Sequence, residues 1–115
     1  MAKKFEVKPA VTINQMVSAV MDLAKEKKFG TKPGEIDVSE KIALLHTEVS
    51  EAYEAYRKKK MSGRHGFNEE LADILIRVLH LGGIFKIDLE KEILKKLKLN
   101  KSRDWDWEKL NETHS

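Results

Sequence analysis

The segment that most constrains the fold is residues 70–82, where apolar side chains cover most of the circumference of a predicted helix. At about 100° per residue, this helix is apolar at Leu71, Ala72, Ile74, Leu75, Ile76, Val78, Leu79, Leu81 and Gly82. A helix of this kind is buried on most sides, so the sequence predicts an all-α fold packed around it. One narrow polar strip remains, made of Glu70, Asp73, Arg77 and His80. It has to face a partner, a metal or water, because an unpaired buried carboxylate costs several kcal/mol.

The helix predicted before it is amphipathic and carries acidic residues at the edge of its apolar side. Its apolar stripe consists of Val38, Ile42, Leu45, Val49, Ala52 and Tyr56. On the helical wheel Glu48 and Glu51 fall on the flank of this stripe, whereas Glu54 points away from it. We therefore expect Glu48 and Glu51 to point inward and Glu54 to lie in solvent.

Each of these two helices carries a pair of carboxylates three residues apart. The pairs are Glu48 with Glu51, and Glu70 with Asp73. Residues three apart lie side by side on a helix, so two such helices packed face to face would bring four carboxylates together, which predicts a metal site. Simpler interpretations stay open for the second pair. Acidic residues are favoured in the first turn of a helix, which Asn68 would cap here, and Arg77 can form structural ion pairs with them.

The remaining pattern predicts four helices within one domain, residues 1–115, since 115 residues is an ordinary length for a single domain. The predicted helices run from Thr12 to Gly30, over about residues 38–60, from Phe67 to Phe85 and over residues 89–102. Thr12, Asp37 and Asp88 stand where capping residues are expected. The connections are short enough for antiparallel neighbours, so we expect a four-helix bundle.

The fourth helix has a candidate anion-binding face. Lys96, Asn100 and Arg103 follow the spacing i, i+4, i+7 and offer a point charge, a neutral donor and a forked donor. An oxygen-rich anion needs such donors, although a solvated surface has the same composition. The side of this helix that is expected to face the core consists of Leu89, Ile93 and Leu97.

Composition excludes several classes of site and partner. The chain has no cysteine, which rules out disulfides, thiolate metal sites and cysteine nucleophiles. A net charge of +3, from 22 basic and 19 acidic residues, is too balanced to indicate nucleic-acid binding. No stretch approaches the ~20 apolar residues of a membrane span, and the N-terminus lacks the apolar run of a signal peptide. We therefore expect a cytoplasmic protein. The apolar surplus on the third helix also predicts a homo-oligomer whose interface would bury it.

Together these motifs resemble those of the MazG-like nucleotide pyrophosphohydrolases, a family of the all-α NTP pyrophosphatase superfamily. The resemblance covers about residues 37–103. It includes LLHTEVSEAYEAYRKKK, followed by FNEELADILIRVLHLGGIFKIDLEKEILKKLKLNKSR. The patterns E-x-x-E, E-x-x-D and K-x-x-x-N-x-x-R occur in the order that the family has.

The resemblance implies a MazG-like helical bundle that assembles as a homodimer or a dimer of dimers. Its expected activity is the splitting of a nucleoside triphosphate, NTP or dNTP, into the monophosphate and pyrophosphate, often to remove non-standard nucleotides. The implied cofactor is Mg²⁺, a hard cation that proteins usually hold through carboxylates together with substrate phosphates. Its implied ligands, one of which would act as general base, are Glu48, Glu51, Glu70 and Asp73. The implied contacts to the triphosphate are Lys96, Asn100 and Arg103.

Base preference and two other functions stay open. Candidate residues for contacts to the base are His46, Phe67, Trp105 and Trp107. A phosphoribosyl-ATP pyrophosphohydrolase-like activity is a close alternative, since that relative has similar carboxylates. A non-enzymatic oligomeric helical adaptor, whose acidic strip pairs with basic residues of a partner, is an alternative of another class and predicts no dependence on metal. A di-iron bundle would need E-x-x-H ligands, and the predicted helices contain none.

Overall fold

The computed structural model describes residues 12–103, which form four α-helices. These are α1 (Ile13–Lys27), α2 (Val38–Arg57), α3 (Phe67–Ile84) and α4 (Leu89–Ser102), with a short 3₁₀ helix at Pro33–Glu35 between α1 and α2. There is no strand within the described range, so the all-α prediction and the number of helices are confirmed. Both α1 and α2 end about one turn earlier than predicted. None of the four helices is both long enough and apolar enough to cross a membrane.

Three of the helices begin at the predicted capping residues. The Thr12 hydroxyl accepts a hydrogen bond from the backbone N–H of Gln15 at 3.0 Å, and the Gln15 side chain accepts one from Thr12 at 3.0 Å. Asp37 and Asp88 each accept a hydrogen bond from the backbone N–H three residues later, at 3.2 and 3.0 Å. These side chains satisfy backbone donors that a helix start leaves without partners.

The start of α3 is built differently, and the prediction that Asn68 caps it is wrong. The N-cap residue is Gly66, which has no side chain to offer. The carbonyl oxygens of Lys60 and Met61 instead accept hydrogen bonds from the backbone N–H groups of Phe67 and Asn68, both at 2.9 Å. The preceding loop therefore satisfies these donors, and no capping side chain is needed.

Helices α2 and α3 form an antiparallel pair that carries the carboxylates. Near the loop that joins them, the rings of Tyr56 and Phe67 lie 5.9 Å apart. About two turns further from the loop, Arg77 on α3 bonds to Glu48 on α2. Helix α1 packs on α3, and α4 lies mainly against α1.

The core of the single chain is small. Within residues 12–103 the buried apolar residues are Ala24, Ala52, Ala55, Leu79 and Ile84. Most of the apolar stripe predicted on α2 is exposed, since its packed side is the flank that contains Glu48 and Ala55. The prediction that Ile93 and Leu97 face the core is wrong for the single chain, because both are exposed. Helix α3 is likewise uncovered at Leu71 and Leu75, so it is not buried on nearly all sides as predicted.

Candidate metal centre

Three of the four predicted carboxylates come together between α2 and α3. Glu48, Glu51 and Glu70 each offer an oxygen atom, and these atoms lie within 4.8 Å of one another. The spacing of three residues aligns the first two on α2, and the antiparallel packing of α3 brings the third opposite them. Three carboxylate oxygens at this separation form a set of ligands that a hard cation prefers.

Glu70 is the buried member of this cluster. Its residue is 2% exposed, and its Oε2 atom is inaccessible and has no hydrogen-bond partner. Its Oε1 atom lies 3.7 Å from Nδ1 of His65, which is on the exposed loop before α3. Burial and then hydrogen bonding with Glu48 raise the pKa of Glu70 above its ordinary value of 4.5, and the charges of Glu48, Glu51 and Asp73 act in the same direction. A cation at the cluster would relieve each of these costs, so the residues fit a metal.

Arg77 already partly neutralises the cluster. Its Nε and Nη2 atoms both donate to Oε1 of Glu48, at 3.2 and 3.1 Å. The same contact fixes the Glu48 side chain, whose exposure is only 14%. Arg77 leaves Oε2 of Glu70 without a partner, and Glu51 is exposed. The sequence predicted that Arg77 forms ion pairs with Glu70 and Asp73. Arg77 does form an ion pair, but its partner is Glu48 on α2.

Asp73 stands beside the three-carboxylate cluster without belonging to it. It is one turn further along α3 than Glu70, close enough for its charge to raise the pKa of Glu70. Its side chain lines a cavity that Glu48 also lines. Asp73 and the cluster residue Glu48 therefore line the same cavity. The role of Asp73 as a metal ligand stays a prediction.

This cavity has a volume of about 470 Å³ and lies between α1, α2 and α3. Each of the three helices contributes apolar residues to it. Its polar lining residues are Lys41, Glu48, Asp73, Arg77 and His80. A largely apolar chamber with a few polar groups, beside a candidate metal site, has the character of a small-molecule site.

The predicted anion-binding residues are not near this centre within one chain. Lys96 and Asn100 lie on α4, and Arg103 directly follows it. The contacts of α4 are mainly with α1. At the start of α4, Nδ2 of Asn14 donates to Oδ1 of the capping residue Asp88 at 3.3 Å. None of the three lines the cavity or belongs to the carboxylate cluster. Their contact with a triphosphate therefore stays a prediction.

The candidate residues for contacts to a base are also elsewhere. Phe67 packs against Tyr56 near the loop between α2 and α3. His46 is exposed on α2, and neither residue lines the cavity. Trp105 and Trp107 lie outside the described residues.

Lys41 and Phe29 line the cavity and were not singled out by the sequence pattern. Lys41 is seven residues before Glu48, a spacing that puts both on one side of α2 and could have indicated it. Phe29 lies in a turn after α1, where no periodicity applies, and only the following Gly30 marked this position as a turn.

Comparisons of the chain with protein-family models, with curated proteins and with solved structures found no match.

Proposed function

We propose that this protein is a Mg²⁺-dependent nucleoside triphosphate pyrophosphohydrolase. The observation that carries the proposal is the cluster of Glu48, Glu51 and Glu70, whose oxygens lie within 4.8 Å of one another while Oε2 of Glu70 is buried without a partner. A buried carboxylate in that state is stabilised by a proton or by a bound cation. The order of the acidic and basic motifs, which resembles that of the MazG-like family, supports the nucleotide as substrate.

In this proposal the acidic residues bind the cation, and the cation interacts with the phosphates. Glu48, Glu51 and Glu70 hold Mg²⁺, and Asp73 completes the acidic set from the cavity side. Bound Mg²⁺ would supply charge to neutralise phosphate oxygens and would lower the pKa of a coordinated water. Arg77 keeps Glu48 oriented through its two hydrogen bonds. The reaction consumes one water, breaks the bridge between the α- and β-phosphates, and releases a nucleoside monophosphate and pyrophosphate.

We further propose that the active form is a homodimer or a dimer of dimers. The exposed apolar residues of α2 share one face, since Val38, Ile42, Val49, Tyr53 and Tyr56 fall within about 60° of the helical wheel. Helix α3 has exposed apolar residues of its own at Leu71 and Leu75. Packing between copies would bury both, and would allow α4 of a second copy to bring its basic residues to the triphosphate.

A nucleotide panel tests the reaction. We expect the wild-type protein to turn over one or more nucleoside triphosphates with Mg²⁺ and none with EDTA; phosphoribosyl-ATP in the panel tests the histidine-pathway alternative. Glu51→Gln should lower turnover about 100-fold or more, because it removes a metal ligand. Glu54→Gln is the matched control, since Glu54 lies on the outer side of α2 and pairs with Arg57 and Lys58 at 3.6 and 3.5 Å. Equal activity of the two variants would refute the metal centre.

The non-enzymatic adaptor keeps one observation in its favour. The two hydrogen bonds from Arg77 to Glu48 demonstrate that a basic side chain can pair with part of the acidic cluster. An adaptor of this kind tolerates Asp in place of Glu70 and gains no stability from Mg²⁺. A metal centre is sensitive to this substitution, because the shorter side chain withdraws a ligand, so melting curves of Glu70→Asp with and without Mg²⁺ distinguish the two.

A further inference from the structure

The cavity between α1, α2 and α3 borders the carboxylate cluster. Glu48 belongs to both, and Asp73 lines the cavity one turn along α3 from Glu70. Its volume of about 470 Å³ falls in the ~300–1,000 Å³ range of small-molecule sites. A ligand that reached the cluster with charged groups could therefore place an uncharged ring in the apolar chamber.

Phe29 is the one phenylalanine, tyrosine or tryptophan that lines this cavity among the described residues. Phe29 is 54% exposed and also belongs to the cavity lining, so its ring stands at the opening. Exposure of a single apolar residue is ordinary in itself. What distinguishes Phe29 is the backbone that holds it in this place.

The turn around Phe29 is fixed on both sides. Its backbone N–H donates to the carbonyl of Ala24 at 2.9 Å, and Lys28 before it adopts a left-handed conformation with φ of 61°. Gly30 after it has φ of 103° and is buried, and a Cβ there would overlap the side chain of Ile36. Only glycine satisfies both conditions at this position, so the direction in which the chain leaves Phe29 is set.

A side chain of α3 ties this turn to the centre of the molecule. Nε2 of His80 lies 2.8 Å from the carbonyl oxygen of Gly30, and because a carbonyl can only accept, this nitrogen donates the proton. His80 also lines the cavity and is on the polar strip of α3 with Asp73 and Arg77. The Phe29 turn is thus fastened to the helix that carries the acidic residues.

We propose that Phe29 is the stacking surface for the base of the nucleotide, and that the cavity behind it encloses the base while the phosphates reach the carboxylate cluster. This inference rests on the proposed function and adds the site that reads the base. Stacking on an aromatic ring tolerates any base, since every base has a π face. Selection then depends on the polar edge, where Lys41 offers donors to the base. Lys41 forms no ion pair within residues 12–103.

Binding measurements without turnover test the stacking surface. Nucleoside monophosphates and inorganic tripolyphosphate are titrated into the protein with Mg²⁺, and dissociation constants are compared between variants. Phe29→Ala should weaken binding of the preferred nucleoside monophosphate about tenfold, and Phe29→Trp should restore it. Tripolyphosphate has no base, so its affinity should be the same in all variants. Phe85→Ala is the matched control, because Phe85 is also a partly exposed phenylalanine and does not line the cavity.

Each outcome decides one of the two proposals. If Phe29→Ala binds the nucleotide as tightly as wild type, or if it weakens tripolyphosphate to the same extent, the stacking surface is refuted while the hydrolase proposal stands. If nucleotide binding depends on Phe29 but no triphosphate is hydrolysed, the base site is supported and the reaction is refuted. If the wild-type protein binds no nucleotide of the panel, both proposals are overturned.

Discussion

At the scale of single residues, the behaviour of the site centres on Glu70. An acid whose pKa is raised in the folded state holds its proton to a higher pH when folded than when unfolded. Between the ordinary value of 4.5 and the raised value, the folded state therefore binds more protons than the unfolded state. The stability that protonated Glu70 contributes is complete below pH 4.5 and is lost as the pH rises through the folded pKa.

Glu70→Gln should remove this loss of stability at higher pH in the metal-free protein. Glutamine has nearly the same shape and stays neutral, so in EDTA at pH 7–8 the variant should melt at a higher temperature than wild type, and near pH 4 the two should coincide. Millimolar Mg²⁺ should raise the melting temperature of wild type more than that of the variant, because the variant lacks a ligand. Differential scanning calorimetry across this pH range measures the difference. A variant that is less stable than wild type at pH 8 in EDTA would contradict the burial argument.

Helical wheels identified the two residues that α2 contributes to the acidic cluster. They separated Glu48 and Glu51 from Glu54, which lies on the outer side of α2 as expected. They could not separate Glu70 from Asp73, because both are on one strip and the distance between facing helices decides which one meets α2. Helical wheels could not identify Phe29, because its position depends on a turn and on a hydrogen bond from His80 to Gly30, which are 50 positions apart.

At the scale of helices, the two glycines near the end of α3 decide how closely its neighbours approach. The sequence left open whether they relax the helix or permit close packing, and the structure favours close packing. A Cβ on Gly82 would overlap the Leu89 side chain, and one on Gly83 would overlap the side chain of Met21. The middle of α1 and the first residue of α4 thus pack against α3 at the positions without side chains.

Gly82→Ala should destabilise the protein despite the better helix propensity of alanine. Alanine gains about 1 kcal/mol in a helix, whereas the overlap with Leu89 costs about 1–3 kcal/mol, so we expect a net loss of up to about 2 kcal/mol. Urea denaturation followed by circular dichroism gives this number. Gly34→Ala is the control, since nothing lies within 4 Å of a Cβ there and its φ is not positive, and it should change stability by less than about 0.5 kcal/mol. A Gly82→Ala protein that is more stable than wild type would rule out the close packing.

The starts of α1, α2 and α4 followed from local sequence, and the packing of the helices did not. Thr12, Asp37 and Asp88 cap helices through hydrogen bonds within three residues, which a sequence can reveal. Ile93 and Leu97 form an apolar side on α4, but periodicity cannot tell whether that side meets the same chain or another molecule. The partner of an apolar face is a tertiary property, and for this reason the prediction of core burial on α4 was wrong.

At the scale of the whole molecule, the small core has to be explained. Three of the five buried apolar residues within the described range are alanines, while large apolar residues stay exposed on α2, α3 and α4. Burial of apolar surface contributes about 25 cal/mol per Å², so a core of this size stabilises a single chain weakly. Association of copies through the exposed faces would bury the missing area.

Light scattering should therefore report a particle of at least twice the chain mass of 13.3 kDa at micromolar concentration. Val49→Glu places a charge in the exposed apolar face of α2 and should shift the particle toward monomer with loss of thermal stability. Ser50→Glu introduces the same charge at the next position, also exposed but outside that face, and should leave the mass unchanged. A wild-type monomer that is stable at these concentrations would contradict the oligomer.

The central claim is that Mg²⁺ held by the acidic cluster supports cleavage between the α- and β-phosphates, and phosphorus NMR tests it most directly. With Mg²⁺ we predict equal growth of nucleoside monophosphate and pyrophosphate signals from a triphosphate mixture. These signals should not grow in EDTA, and Glu70→Gln should slow their growth about 100-fold or more. Diphosphate and orthophosphate as the first products, or the same rate in Glu70→Gln as in wild type, would contradict it.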